Sequence, residues 1–300
     1  MSRPAARPFE PANNLSVTET HNFDSSPDFD FDFKHIAVPF AMRPGLTRLA
    51  PGTRQLTPLV CCSALHAEKQ QIEKAGLSRH AVAGFDHRLA MQTISAHARI
   101  NWPECPFDDE CSLESTFEED FAVLDGASGT LPWLCVCTPS HWAPEEKVGL
   151  HFAALHAPVA DGAALRAAAA PLVQLVTGGG SWERFVWTLS PSKRYDQHPH
   201  RHGRPPWPDE PAAAAFASQT FFRVERQTFL PVGRGSSQAV FTIRVMLKPL
   251  VQAVDTLEKA RRLQGSLASM SDAVLAYKGL TEARGLLLRW LQRRFSSRSG

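Results

Sequence analysis

The sequence predicts an α+β domain. Short apolar or alternating runs read as strands at 133–138, 184–189, 221–230 and 239–247, while helical spacing fills the chain after Pro249. No regular strand–helix–strand alternation links these runs, and no internal repeat is present, so an antiparallel sheet with segregated helices is expected.

Taken in order, residues 1–34 are expected to form a disordered tail. The run Asp24-Ser-Ser-Pro-Asp-Phe-Asp-Phe-Asp-Phe-Lys34 alternates acids with Phe and has no aliphatic support. The domain is expected over 35–295, with a short tail at 296–300. Between Pro58 and Leu89 most residues are helix-compatible, with Glu68, Lys69, Gln70, Glu73 and Lys74 assigned to an exposed face. Prolines, cysteines and acids across 99–113 read as an exposed loop. The acids of 116–124 suit a helix start, where the positive end of the helix dipole favours them.

Residues 133–138 read as a buried strand. Pro144 followed by Glu145 and Glu146 then marks a helix start, with a helix expected to about Leu155. Asp161 is placed as the cap of the Ala-rich segment that Gly178-Gly-Gly180 ends, and Pro171 argues for a break within it. Residues 195–217 read as a long loop. The clearest strands, 221–230 and 239–247, are joined by a Gly-rich turn and should pair as an antiparallel hairpin. The first carries Phe222, Val224 and Leu230 on one face and Arg223, Glu225 and Gln227 on the other.

Composition narrows the function. The 300 residues carry a formal net charge of +2 with both signs interspersed, and no basic stripe tracks a phosphate backbone, so nucleic acid is not an expected partner. The basic 284–298 segment reads as a solvated helix face. No apolar run approaches the ~20 residues of a bilayer span, and no hydrophobic region follows Arg3 and Arg7. The six cysteines form no CxxC pair and suit no disulfide scaffold or zinc site. A cytoplasmic protein with free thiols is the expectation. Gly178-Gly-Gly180 is followed by no Lys-Ser/Thr, and GxGxxG is missing, so there is no sequence motif for NAD, flavin or ATP.

Three polar side chains at period 2, Arg223, Glu225 and Gln227, face either water or a polar cavity, and Arg244 on the neighbouring strand is a candidate partner for Glu225. His156 sits where a helix breaks into Ala-Pro-Val. An imidazole fixed by such a turn can ligate iron or act as an acid or base, or it can be a satisfied structural residue. His198, His200 and His202 read as part of an exposed flexible loop rather than a metal site, and Cys135 and Cys137 as inert buried thiols.

Two blocks of this sequence resemble a known family. Trp133-Leu-Cys-Val-Cys-Thr-Pro-Ser-His-Trp142, Glu146-Lys-Val-Gly149 and Leu155-His-Ala-Pro-Val159 are similar to a "C-x-PS-x-W … EK-x-G … IH-x-PVP" stretch. Phe222-Arg-Val-Glu-Arg-Gln-Thr-Phe229 and Phe241-Thr-Ile-Arg244 are similar to an "R-x-E-R-Q-T-L … F-T-I-R" hairpin. Both belong to the heme-dependent oxidative N-demethylase alpha-subunit family, and the likeness spans roughly residues 38–250. Val186 and Ala160 stand where that family has Asn and Pro.

The resemblance implies a PAS-like fold that binds heme b and an oxygenase-type reaction. A small amine such as dimethylamine would be N-demethylated with O2 and electrons from an external donor protein. It implies His156 as the iron ligand and Glu225 as the group that orients that imidazole or handles protons. Arg226 or Arg244 would pair a heme propionate, and Trp142 and Lys147 would line the pocket or pack. A heme-based gas sensor or carrier, and a heme-free scaffold protein, are the alternative readings.

Overall fold

The computed structural model describes residues 29–103, 112–233 and 235–294. Expectations for residues 1–28, for most of the loop that carries Cys105 and Cys111, and for the tail at 296–300 lie outside the described residues. Seven antiparallel strands form one sheet: β1 (Thr47–Arg48), β2 (Arg79–Ala81), β3 (Glu119–Asp125), β4 (Thr130–Cys135), β5 (Trp182–Ser190), β6 (Phe221–Pro231) and β7 (Gln238–Pro249). Their order across the sheet is β1-β5-β6-β7-β3-β4-β2. With helices at the C-terminal end of the chain, the fold is α+β, as the sequence predicts.

The hairpin β6–β7 sets the faces of the sheet. Arg223 lies opposite Leu247, Glu225 opposite Val245, and Gln227 opposite Ile243. On the other side β5 places Thr188, Val186 and Arg184 beside the same three residues. Alternation therefore gathers Arg184, Arg223, Glu225 and Gln227 on one face, with Ile243, Val245, Ala122 and Leu124 beside them.

The opposite face is packed. Trp187, Phe222, Val224 and Met246 join Leu263, Leu267, Val274 and Leu287 of the C-terminal helices in one core. Under β3 and β4, Phe121, Val123 and Trp133 pack on Ile94 and Ala98 of the helix Arg88–Asn101. Each of the larger side chains stabilises the fold by about 1.5–3 kcal/mol through burial.

Several local expectations are corrected. Phe31 and Phe33, placed in a disordered tail, are buried, and Phe33 stacks on Phe222 with centroids 5.2 Å apart. Aromatic rings here supply the support that aliphatic residues do not. Residues 119–124 form strand β3, and the helix before it spans Leu113–Thr116. Their acids do not cap a helix but pair inside the sheet: Glu118 with Arg244 at 2.6 Å and Asp120 with Lys69 at 3.4 Å.

Lys69, assigned to an exposed face, is 1% exposed, and its ammonium also donates to the carbonyls of Phe117, Glu118 and Glu119. The 144–155 segment is not one helix. A turn of 3-10 helix, Pro144–Glu146, and a short helix, Phe152–Leu155, are separated at Gly149, whose φ of +79° suits glycine and whose N–H bonds Leu131 at the start of β4. Asp161 does not cap the Ala-rich segment; it accepts a hydrogen bond from Ser271. That segment breaks at Ala168, which puts Pro171 in the first turn of the helix Ala169–Thr177.

Candidate functional site

The polar sheet face opens into a cavity of about 410 Å³, within the usual range for small-molecule sites. Its floor is apolar, from Ala122, Leu134, Phe229, Phe241 and Ile243, and its roof comes from the 140–176 segment. Among the described residues that line it, Glu225 is the one carboxylate.

Glu225 is held from two sides. One carboxylate oxygen accepts from the Ser140 hydroxyl, and the other from Gln227 Nε2 at 2.7 Å. Ser140 Oγ in turn accepts from Arg223 Nε at 2.9 Å. Arg223 is 1% exposed, and its remaining N–H groups reach the carbonyls of Thr138, Arg194 and Tyr195 at 2.9–3.2 Å. The one guanidinium thus ties strand β6 to the 138–140 loop on the cavity wall and to the 194–195 loop. Beside it, His141 takes a positive φ of 60°. Burial, with the Arg204 and Arg223 charges, pulls its pKa down to about 4, so the ring is neutral at pH 7.

His156 lines the same cavity from the end of the helix Phe152–Leu155. Its Nδ1 lies 2.8 Å from the Phe152 carbonyl, an acceptor only, so Nδ1 carries the proton and Nε2 keeps its lone pair. Burial holds this imidazole below its ordinary pKa, and the nearby Arg184 charge adds to the effect. Arg184 comes from β5, and its Nε is buried without a hydrogen-bond partner. Tyr277 and Lys278, at the end of the helix Asp272–Lys278, complete the wall. Tyr277 is 44% exposed and stands at the solvent edge. Lys278 donates to the Trp187 carbonyl at 2.7 Å, and burial lowers its pKa to about 8 against the opposing charge of Glu225.

Of the residues singled out in the sequence, His156, Glu225, Trp142 and Lys147 line one cavity. Arg226 and Arg244 do not. They face each other across the hairpin on the packed side of the sheet, where Arg226 pairs with Glu183 at 2.5 Å and Arg244 with Glu118. Arg244 is therefore no partner for Glu225. The orienting role expected of Glu225 is also corrected: the Phe152 carbonyl fixes the His156 ring.

The HPHRH segment is not a loose loop. His198 is 2% exposed and meets Glu145, His200 meets Glu146, and His202 meets Asp196, each with its own carboxylate. No group of three or more metal-ligating side chains converges among the described residues. Cys135 and Cys137 are buried, and burial pushes both thiols up, that of Cys137 beyond the range in which a thiolate forms near neutral pH.

Sequence reasoning missed Arg184, Arg204, Tyr277, Lys278 and His141 as cavity residues. For Arg184 the signal was present, since strand alternation puts it in phase with Val186 and Thr188, beside Gln227 in the register. No helix among the described residues is long and apolar enough to cross a membrane. A family model described as "Haem-dependent oxidative N-demethylase, alpha subunit-like" matches residues 96–288, well over half of the chain and every strand of the cavity floor, and the chain belongs to that family.

Proposed function

We propose that this chain is the heme-carrying subunit of an oxidative N-demethylase, acting on a small N-methylated amine with O2 and electrons from an external donor protein. The observation that carries the reading is the His156 ring: held at Nδ1 by a backbone carbonyl, it offers a neutral Nε2 lone pair on the wall of a largely apolar cavity. The residues present fit a heme. Apolar side chains suit the porphyrin, and cationic groups on the wall suit its propionates, with Lys147 and Arg204 taking the part that Arg226 and Arg244 cannot.

A heme held there would supply the redox chemistry of O2 activation. Overall, an N–CH3 amine, O2, two electrons and two protons give the N–H amine, formaldehyde and water. Glu225 handles the amine's proton, because its carboxylate is fixed by Ser140 and Gln227 while remaining on the cavity wall. Trp142, with the floor residues, limits water around the reacting methyl group, and Lys147 contributes positive charge to the wall. The PAS-like reading is supported by the central strands, β4-β3-β7-β6-β5, which follow the chain order second, first, fifth, fourth, third.

Formaldehyde release tests the reaction. With the heme-loaded chain, a chemical reductant and an N-methylated amine, formaldehyde should appear in wild type and fall at least about a hundredfold in Glu225→Gln. Heme binding without formaldehyde from any N-methylated amine would instead favour a gas sensor or carrier.

A further inference from the structure

The charges on the cavity wall do not balance. Five cationic side chains, Lys147, Arg184, Arg204, Arg223 and Lys278, line it against the single carboxylate of Glu225. Arg223 and Glu225 neutralise each other through Ser140. None of the other four makes an ion pair with a carboxylate among the described residues. Lys278 gives one N–H to a backbone carbonyl and stands over the Phe40 and Trp187 rings at 5.6 and 5.5 Å but meets no carboxylate, and Arg184 holds a buried Nε with no partner. Arg184 and Lys278 are both desolvated by burial without a paired carboxylate, which is costly, so this part of the wall suits an anionic group. The two propionates of a heme answer two of these cations and leave a surplus.

A simple alkylammonium ion would enter this field against repulsion. We infer that the substrate is a zwitterion, an N-methyl amino acid, whose carboxylate is taken by Arg184 and Lys278 and whose methylammonium meets Glu225. This rests on the heme reading above and sharpens it. The three groups belong together: Arg184 and Lys278 both lie close enough to Glu225 to feel its charge, and Arg184 is also close to His156. A guanidinium binds a carboxylate through two parallel N–H groups, which would complete the Arg184 Nε. Fixing both ends of a small zwitterion orients its N-methyl group, which a single charged contact does not.

N-methylglycine and dimethylamine make the sharpest comparison, since the first carries a carboxylate that the second lacks. Heme-loaded full chain, with its Soret band recorded first, is titrated with each by calorimetry. N-methylglycine should bind at least about tenfold more tightly, and Arg184→Gln should erase that preference by weakening N-methylglycine alone. Arg289→Gln, on an exposed residue outside the cavity, should leave the preference in place and controls for general loss of positive charge. Should Arg184→Gln fail to fold, Lys278→Met reads the same contact. A Soret band with equal binding, tighter dimethylamine binding, or a preference that survives both cavity substitutions overturns the zwitterion inference alone. Absence of a Soret band in wild type overturns the heme reading and this inference with it.

Discussion

Arg223 and Glu225, two residues apart on one strand, are joined through the Ser140 hydroxyl, which accepts from the guanidinium and donates to the carboxylate. The arrangement makes a loop residue the link between a buried cation and the reactive-face acid. It also explains why so large a charged side chain is wholly inside: every nitrogen of Arg223 finds an oxygen on Ser140, Thr138, Arg194 or Tyr195.

Removing Arg223 should therefore be severe. Arg223→Met leaves a hydroxyl and three carbonyls without their donor and an unbalanced carboxylate, at a cost of about 3–5 kcal/mol. Arg223→Lys should recover only part, because an ammonium cannot span acceptors on two loops. Urea denaturation measures both. A loss below about 1 kcal/mol in Arg223→Met would mean that the guanidinium does not hold the two loops.

The N-terminal aromatics make a second test. Phe33 is 5% exposed and stacked on Phe222. Phe33→Ala should cost about 3–5 kcal/mol, as for other buried Phe residues. A tail segment would show no change in the denaturation midpoint.

Two buried groups give pH effects of opposite sign. Burial raises the Glu119 pKa from its ordinary 4.5 to about 7, and its Oε1 has no hydrogen-bond partner. The folded state thus keeps a proton that the unfolded chain loses between pH 4.5 and 7, so stability falls as pH rises through that window. Glu119→Gln removes this penalty, and its advantage over wild type should grow from nothing near pH 4.5 to about 3 kcal/mol at pH 8.

His141 acts the other way. With a folded pKa of about 4 against an ordinary 6.5, its contribution is complete above pH 6.5 and is lost as pH falls toward 4. His141→Gln should flatten the acid side of the stability profile, while Glu119→Gln flattens the neutral side. Variant and wild-type profiles running parallel across pH 4.5–8 would contradict both assignments.

Much of the sheet was legible in the sequence. Strict alternation in 221–230 and 239–247, with a Gly-rich turn between, specifies a hairpin and its polar face, and the register found is the one that alternation allows. The error at Arg244 shows the limit of that logic. Its departure from the aliphatic face is real, but pairing it with Glu225 needs the register, and Glu225 lies opposite Val245. Strand β3 was hidden because three consecutive acids read as a helix start, and only the distant Lys69 and Arg244 show how acids there are held inside the fold. Tyr277 and Lys278 carry no local mark of function. They reach the cavity because the last helices fold back along β5, whose Trp187 carbonyl the lysine takes. Phe31 and Phe33 show that an acid–Phe alternation can dock when a ring such as Phe222 waits for it.

The absorption spectrum of the heme-loaded chain tests the central claim most directly. Wild type and His151→Ala, which alters an exposed histidine at the start of the same short helix, should show the same Soret band. His156→Ala should lose or shift it, with added imidazole restoring the wild-type position. A band unchanged by His156→Ala, or one moved equally by His151→Ala, would contradict the assignment of His156 to the iron.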